Sequence, residues 1–134
     1  QYIDNGKIKK KLNSKEKLLI DGCHSTTSAK NFADYLKTLK VKKYGIWGMT
    51  ENKRPKDFIK QFKGIFEKVI TVPVDNEKEY IPPKKLSDIA NEMGFISEES
   101  ENYKKAITKI SSKNKKIICI FGSLYLCGNV LRDN

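Results

Sequence analysis

The chain has 134 residues, the size of one ordinary domain, and a domain of that length buries roughly 65–70% of its unfolded surface without needing disulfide or metal staples. Its 38% hydrophobic and 32% charged content fits a soluble globular protein, and no apolar run approaches the roughly 18 residues that a membrane-spanning helix requires. The net charge of +11 invites a nucleic-acid reading, but the basic residues are Lys scattered along the chain, with the base-reading Arg only at Arg54 and Arg132, so solvated lysine faces and no nucleic-acid partner are expected.

Tyr2-Ile3-Asp4-Asn5-Gly6-Lys7-Ile8 carries an Asn-Gly pair between apolar residues. Such a pair supplies the two positive φ angles of a type I′ turn, so an opening β-hairpin is expected, with Ile8, Lys10 and Leu12 on one face of its second arm. Leu18-Leu19-Ile20 runs into Asp21-Gly22 and reads as a buried parallel strand. Ala29, Phe32, Ala33, Leu36 and Leu39 then recur at helical spacing. Tyr44 to Met49 is a second strand, and Pro55 suits the first turn of a helix whose buried stripe is Phe58, Ile59, Phe62, Ile65 and Phe66. Val69 to Val72 is a third strand. Leu86, Ile89, Ala90 and Met93 predict a helix closed by Gly94. The acidic, polar stretch from Ser97 to Asn102 reads as a mobile loop. Tyr103, Ala106, Ile107 and Ile110 predict another helix, Ile117 to Phe121 the most apolar and most central strand, and Leu124 to Leu131 a final helix. Strands alternating with helices make a single α/β domain over residues 1–134, with a Rossmann-like, mostly parallel sheet covered on both faces.

In such a sheet ligands bind beyond the carboxyl ends of the strands. That rule selects Asp21 to His24, Gly48 to Lys53 with Asn52, Val74-Asp75-Asn76, and Gly122-Ser123. Asp21 could accept hydrogen bonds from ribose hydroxyls or cap the following helix. His24, the one histidine, could donate to a carboxylate or phosphate or stand as an ordinary loop residue. Ser123 could hold a substrate carboxylate at a helix start or cap that helix. Lys53 is a candidate anion ligand, although one Lys carries little information in a chain so rich in them. Trp47 reads as core. No GxxxxGK[ST] P-loop occurs. The three cysteines, Cys23, Cys119 and Cys127, are odd in number and form no CxxC. That usage suits a reducing, cytoplasmic setting and argues against zinc or a disulfide framework. The chain does not begin with Met, and it is expected to be a piece of something longer.

Several of these segments resemble one family, the folylpolyglutamate and dihydrofolate synthases of the Mur ligase superfamily. Leu19-Ile20-Asp21-Gly22-Cys23-His24 is similar to their L-D-G-A-H-N-P motif, and Gly48-Met49 with Lys53 to their G-M-x-x-x-K-D. Val69 to Val74 resembles their V-x-T-V-P-I strand. Gly122-Ser123-Leu124-Tyr125-Leu126-Cys127-Gly128-Asn129-Val130-Leu131-Arg132 is similar to the terminal G-S-L-Y-L-x-G-E-V-L-R. The resemblance spans nearly the whole chain, in order. It departs at Ser25-Thr26, where the family has Asn-Pro.

The resemblance implies the C-terminal domain of an ATP-dependent ligase that adds L-glutamate to dihydropteroate or folates through an acyl phosphate. It implies ATP contact by Asp21 and glutamate contact by His24 and Ser123, with no catalytic nucleophile and no metal ligand in this part. ATP, Mg2+ and the folate would be held mainly by an N-terminal domain carrying the P-loop. The family's P-G-R segment, whose arginine contacts ATP, would fall just before Gln1. This part alone is expected to be an inactive monomer that binds no cofactor and no membrane. The rivals are a free-standing basic α/β module binding RNA or nucleotide, and a receiver-like phospho-acceptor domain, which would need an early acidic pair for magnesium.

Overall fold

A computed structural model describes residues 1–51, 53–75 and 79–134. Six strands form one sheet in the order β1-β2-β6-β3-β4-β5. They are β1 (Tyr2–Ile3), β2 (Glu16–Asp21), β3 (Lys43–Trp47), β4 (Lys68–Thr71), β5 (Ser97–Glu99) and β6 (Lys116–Phe121). β1 pairs antiparallel with β2, and every other neighbour is parallel. The helices are α1 (Lys7–Lys10), α2 (Thr26–Lys37), α3 (Pro55–Ile59, continued by one 3₁₀ turn), α4 (Pro83–Glu92), α5 (Tyr103–Ile110) and α6 (Leu124–Asp133).

The chain direction explains how the helices divide. From β2 to β5 the chain moves toward one edge, so α2, α3 and α4 share one face of the sheet. Helix α5 carries it back to insert β6 between β2 and β3. Right-handed crossovers therefore put α5, followed by α6, on the opposite face. β6 is buried at every position because it lies between two strands and two helical layers. Ile117, Cys119 and Phe121 enter the first core, whereas Ile118 and Ile120 enter the second. Phe121 sits among Phe32, Phe58, Phe62 and Phe66, with its ring 4.8 Å from that of Phe62. Trp47 is fully buried and stacks on Phe58, as core patterning predicts.

Two expectations change in detail. The N-terminal antiparallel pair exists, but β1 pairs with β2; the stretch read as the second arm forms α1 instead. Gly6 precedes that helix at φ +103°, and the terminal Asn134 holds the turn: its carbonyl accepts from the Lys7 amide at 3.1 Å and its side chain from the Ile8 amide at 3.0 Å. Ser97 to Glu99, read as loop, pairs in parallel with β4 as an edge strand. Its acidic residues reflect that exposed position, with Glu98 facing Lys68 and Lys109.

Candidate functional site

The carboxyl ends of β2, β6 and β3 lie side by side, with Asp21 level with Phe121 and Phe121 level with Trp47. The strand order reverses here, so the loops after these strands part and leave a crevice. The Asp21 and Ile117–Phe121 strands are parallel neighbours, as a shared rim for His24 and Ser123 requires.

Each loop has a local reason for its shape. Asp21 Oδ1 accepts the Cys23 amide at 2.8 Å, which tightens the turn after β2. Asp21 does not cap α2. That cap is Ser25, whose hydroxyl accepts from the Ser28 amide at 3.1 Å, while the Ser28 hydroxyl accepts from the Ser25 amide at 3.1 Å. Ser25-Thr26 thus starts the helix with a capping box. His24 points Nδ1 at the Gly22 carbonyl, 3.0 Å away. A carbonyl only accepts, so Nδ1 carries the proton in this arrangement and Nε2 is left for another partner.

Ser123 is nearly buried and caps α6: its hydroxyl accepts from the Tyr125 amide at 3.1 Å and the Leu126 amide at 3.3 Å. Its own proton remains available for donation. Gly122 before it has φ +104°, and a Cβ there would lie 2.3 Å from the Gly48 carbonyl oxygen. Only glycine permits the β6 and β3 loops to approach this closely.

His24, Ser123, Thr50 and Lys53 line one small cavity of about 120 Å³, together with Gly122, Leu124 and Tyr125. Lys53, a weak candidate by sequence, is therefore brought to the other two. Thr50 lies within the Gly48 to Lys53 segment that the strand-end rule selects, but its hydroxyl carries no signal of its own until β3 ends beside β6. Asp21 opens on a different and larger cavity of about 450 Å³, between the end of β2 and α2, whose lining includes Tyr2, Ser28, Asn31 and Tyr35. Asp75 lies elsewhere at the rim, where its carbonyl accepts from the Asn129 side chain at 3.2 Å. Asn52 and Asn76 lie outside the described residues.

The site offers donors and one carboxylate but no thiolate. Burial, then the Asp21 carboxylate, push the Cys23 thiol far up, and burial pushes Cys127 up to about 12. All three cysteines are free and buried. Among the described residues no three His, Cys, Asp or Glu side chains gather where they could hold a metal ion.

The fold and rim define a Rossmann-like α/β domain whose candidate ligand crevice lies over β2, β6 and β3. The family described as dihydrofolate synthetase, C-terminal domain, matches residues 4–133, and the chain belongs to that family. Among solved structures it is similar to folylpolyglutamate synthase from Thermotoga maritima, with 24% identity, TM-score 0.76, and 90% of this chain and 28% of that one covered. It is also similar to Mycobacterium tuberculosis folylpolyglutamate synthase complexed with ADP and AMPPCP, with 17% identity, TM-score 0.77, and 87% and 29% covered. A bifunctional folylpolyglutamate synthase/dihydrofolate synthase with Mn, AMPPNP and L-glutamate bound aligns at 12% identity and TM-score 0.74, over 90% of this chain and 29% of that one. The chain thus spans less than a third of the length of these proteins. No curated protein sequence matches it.

Proposed function

We propose that this chain works as the C-terminal domain of a longer ATP-dependent ligase that joins L-glutamate to dihydropteroate or folates. The observation that carries the reading is the convergence of His24, Thr50, Lys53 and Ser123 on one cavity at the carboxyl rim, with Asp21 in a separate cavity beside it. Supporting it are the family membership and the related structures, one complexed with ADP and AMPPCP and another with Mn, AMPPNP and L-glutamate bound.

In this reaction a substrate carboxylate oxygen attacks the γ-phosphorus of ATP, and ADP leaves. The glutamate amine then attacks the acyl carbon, phosphate leaves, and the amine gives up a proton as the amide forms. No residue of this chain needs to act as nucleophile. His24 Nε2, the Ser123 hydroxyl and the Lys53 ammonium bind and orient a glutamate carboxylate, and Asp21 accepts from the nucleotide's ribose. The donor set here does not fit a resident divalent cation, so Mg2+ belongs with ATP and the rest of the enzyme. Closure of this domain over the other excludes water, which would otherwise hydrolyse the acyl phosphate. The protein acts in the cytoplasm as a monomer.

The reading of a free-standing RNA-binding module would need exposed aromatics on one basic face, and most of the large aromatics, Phe32, Phe58, Phe62 and Phe121 among them, are spent in the core. The deciding experiment assays the longer protein with ATP, L-glutamate and either dihydropteroate or tetrahydrofolate. Glutamate-dependent ADP release with formation of a glutamylated product is expected. Absence of product with both acceptors removes the proposal.

A further inference from the structure

At the amino-terminal rim, opposite the ligase crevice, lies a second cleft of about 370 Å³, within the range of small-molecule sites. Its apolar lining is Tyr2, Leu39, Val41 and Ile117. Lys15, Lys17, Lys40 and Lys115 also line it, and no Asp or Glu does. None of these four ammoniums makes an ion pair with a carboxylate among the described residues. Lys116, the fifth lysine there, is committed to Glu16 at 3.1 Å. Lys17 instead lies over the Tyr2 ring, 5.8 Å from its centroid. Lysines scattered in the sequence are thus gathered from three segments: the start of β2, the turn after α2 and the start of β6.

We infer that this cleft binds a small organic polyanion with an aromatic body. The four lysines are exposed at the mouth of the cleft, and an anion with more than one acidic group can engage several of them at once. An apolar floor beside a tyrosine ring adds a preference that free phosphate or glutamate cannot satisfy, because neither has a surface to bury there. The inference does not depend on the ligase reading: Lys15, Lys17, Lys115 and Ile117 lie at the amino ends of β2 and β6, away from His24 and Ser123, although Tyr2 lines both this cleft and the Asp21 cavity.

The test is a chemical-shift titration of this 134-residue chain with N-(4-aminobenzoyl)-L-glutamate, an aromatic amide with two carboxylates. Parallel titrations use L-glutamate, inorganic phosphate and a mixed-sequence single-stranded RNA. Saturable shifts are expected at Leu39, Val41 and Ile117, which line this cleft and not the Asp21 cavity, with the aromatic diacid binding at least tenfold tighter than the other three. The double variant Lys15→Glu, Lys115→Glu should weaken that binding on the order of tenfold or more while its amide spectrum stays folded. Equal shifts with phosphate reduce the cleft to a diffuse cationic surface and overturn the inference, and so does tighter binding of RNA. Shifts confined to His24 and Ser123 would also overturn it, by moving the ligand to the other rim.

Discussion

At Ser123 an observed helix cap meets a proposed contact with glutamate. Its hydroxyl already caps α6, so its loss costs stability whatever it does for substrate. Ser123→Ala should lower the unfolding free energy by about 0.5–2 kcal/mol, measured by denaturant titration. A binding role needs a variant that keeps the cap. Aspartate caps as well as serine, but it sets a carboxylate against an anionic substrate. Ser123→Asp in the longer enzyme should therefore retain more stability than Ser123→Ala and yet lose glutamate affinity. Unchanged glutamate kinetics in Ser123→Asp would leave Ser123 with the cap alone. His24 caps no helix: among the described residues its ring hydrogen-bonds only the Gly22 carbonyl, so His24→Ala is a cleaner probe.

Among the elements, β2 and β6 are joined at their amino ends by a buried ion pair, Glu16 with Lys116. Glu16 is fully buried and also accepts from the Ser111 hydroxyl at 2.6 Å and from the Ser112 and Asn13 amides at 2.9 Å. Desolvation raises its affinity for a proton. The Ser111 hydroxyl, the two amides and Lys116 outweigh that and hold the carboxyl below its ordinary value. A carboxyl depressed in the folded state adds stability above its unfolded pKa of about 4.3 and loses it as pH falls through the lower folded value. The thermal midpoint should therefore drop as pH falls below about 4, and Glu16→Gln should flatten that part of the profile. An undiminished drop in Glu16→Gln would assign it to other carboxylates. Lys116→Met, which strands the buried carboxylate, should cost about 3–5 kcal/mol.

The Ile117–Phe121 run announces the central strand because burial on both faces leaves no room for a polar residue. The helices announce themselves by spacing. The α1 turn does not, because the Asn5-Gly6 pair before it signals a hairpin and the partner that fixes the helix, Asn134, is 126 positions away from Ile8. β5 is illegible for the opposite reason: as a short edge strand it is polar, and only its pairing with β4 defines it. At the site, Asp21, His24 and Ser123 stood out by position and by resemblance. Lys53 stood out by resemblance and not by spacing, in a chain so rich in Lys, and Thr50 only as part of the selected Gly48 to Lys53 segment; folding sets both in the cavity of His24 and Ser123.

For the whole molecule, two complete cores on either side of one sheet predict cooperative folding of these 134 residues. Calorimetry should give a single transition, with no ATP hydrolysis by the purified chain; turnover of ATP by this chain alone would contradict its proposed role as one part of a split site. Its charge of +11 should give only weak RNA binding that falls steeply with added salt, as phosphate-only contacts do. Sub-micromolar binding at physiological salt would require a dedicated nucleic-acid surface.

The central claim is that the end of β2 divides two ligands, nucleotide on the Asp21 side and glutamate on the His24 and Ser123 side. The measurement that tests it most directly is a paired determination of KM for L-glutamate and for ATP in the longer enzyme, wild type against His24→Ala and Asp21→Ala. Losing one hydrogen bond to a charged partner costs about 1.5–3 kcal/mol, on the order of tenfold to a hundredfold in affinity. His24→Ala should raise the KM for glutamate by that factor with that for ATP nearly unmoved, and Asp21→Ala should do the reverse. Glutamate kinetics untouched by His24→Ala, or both constants moving together in both variants, would contradict the division.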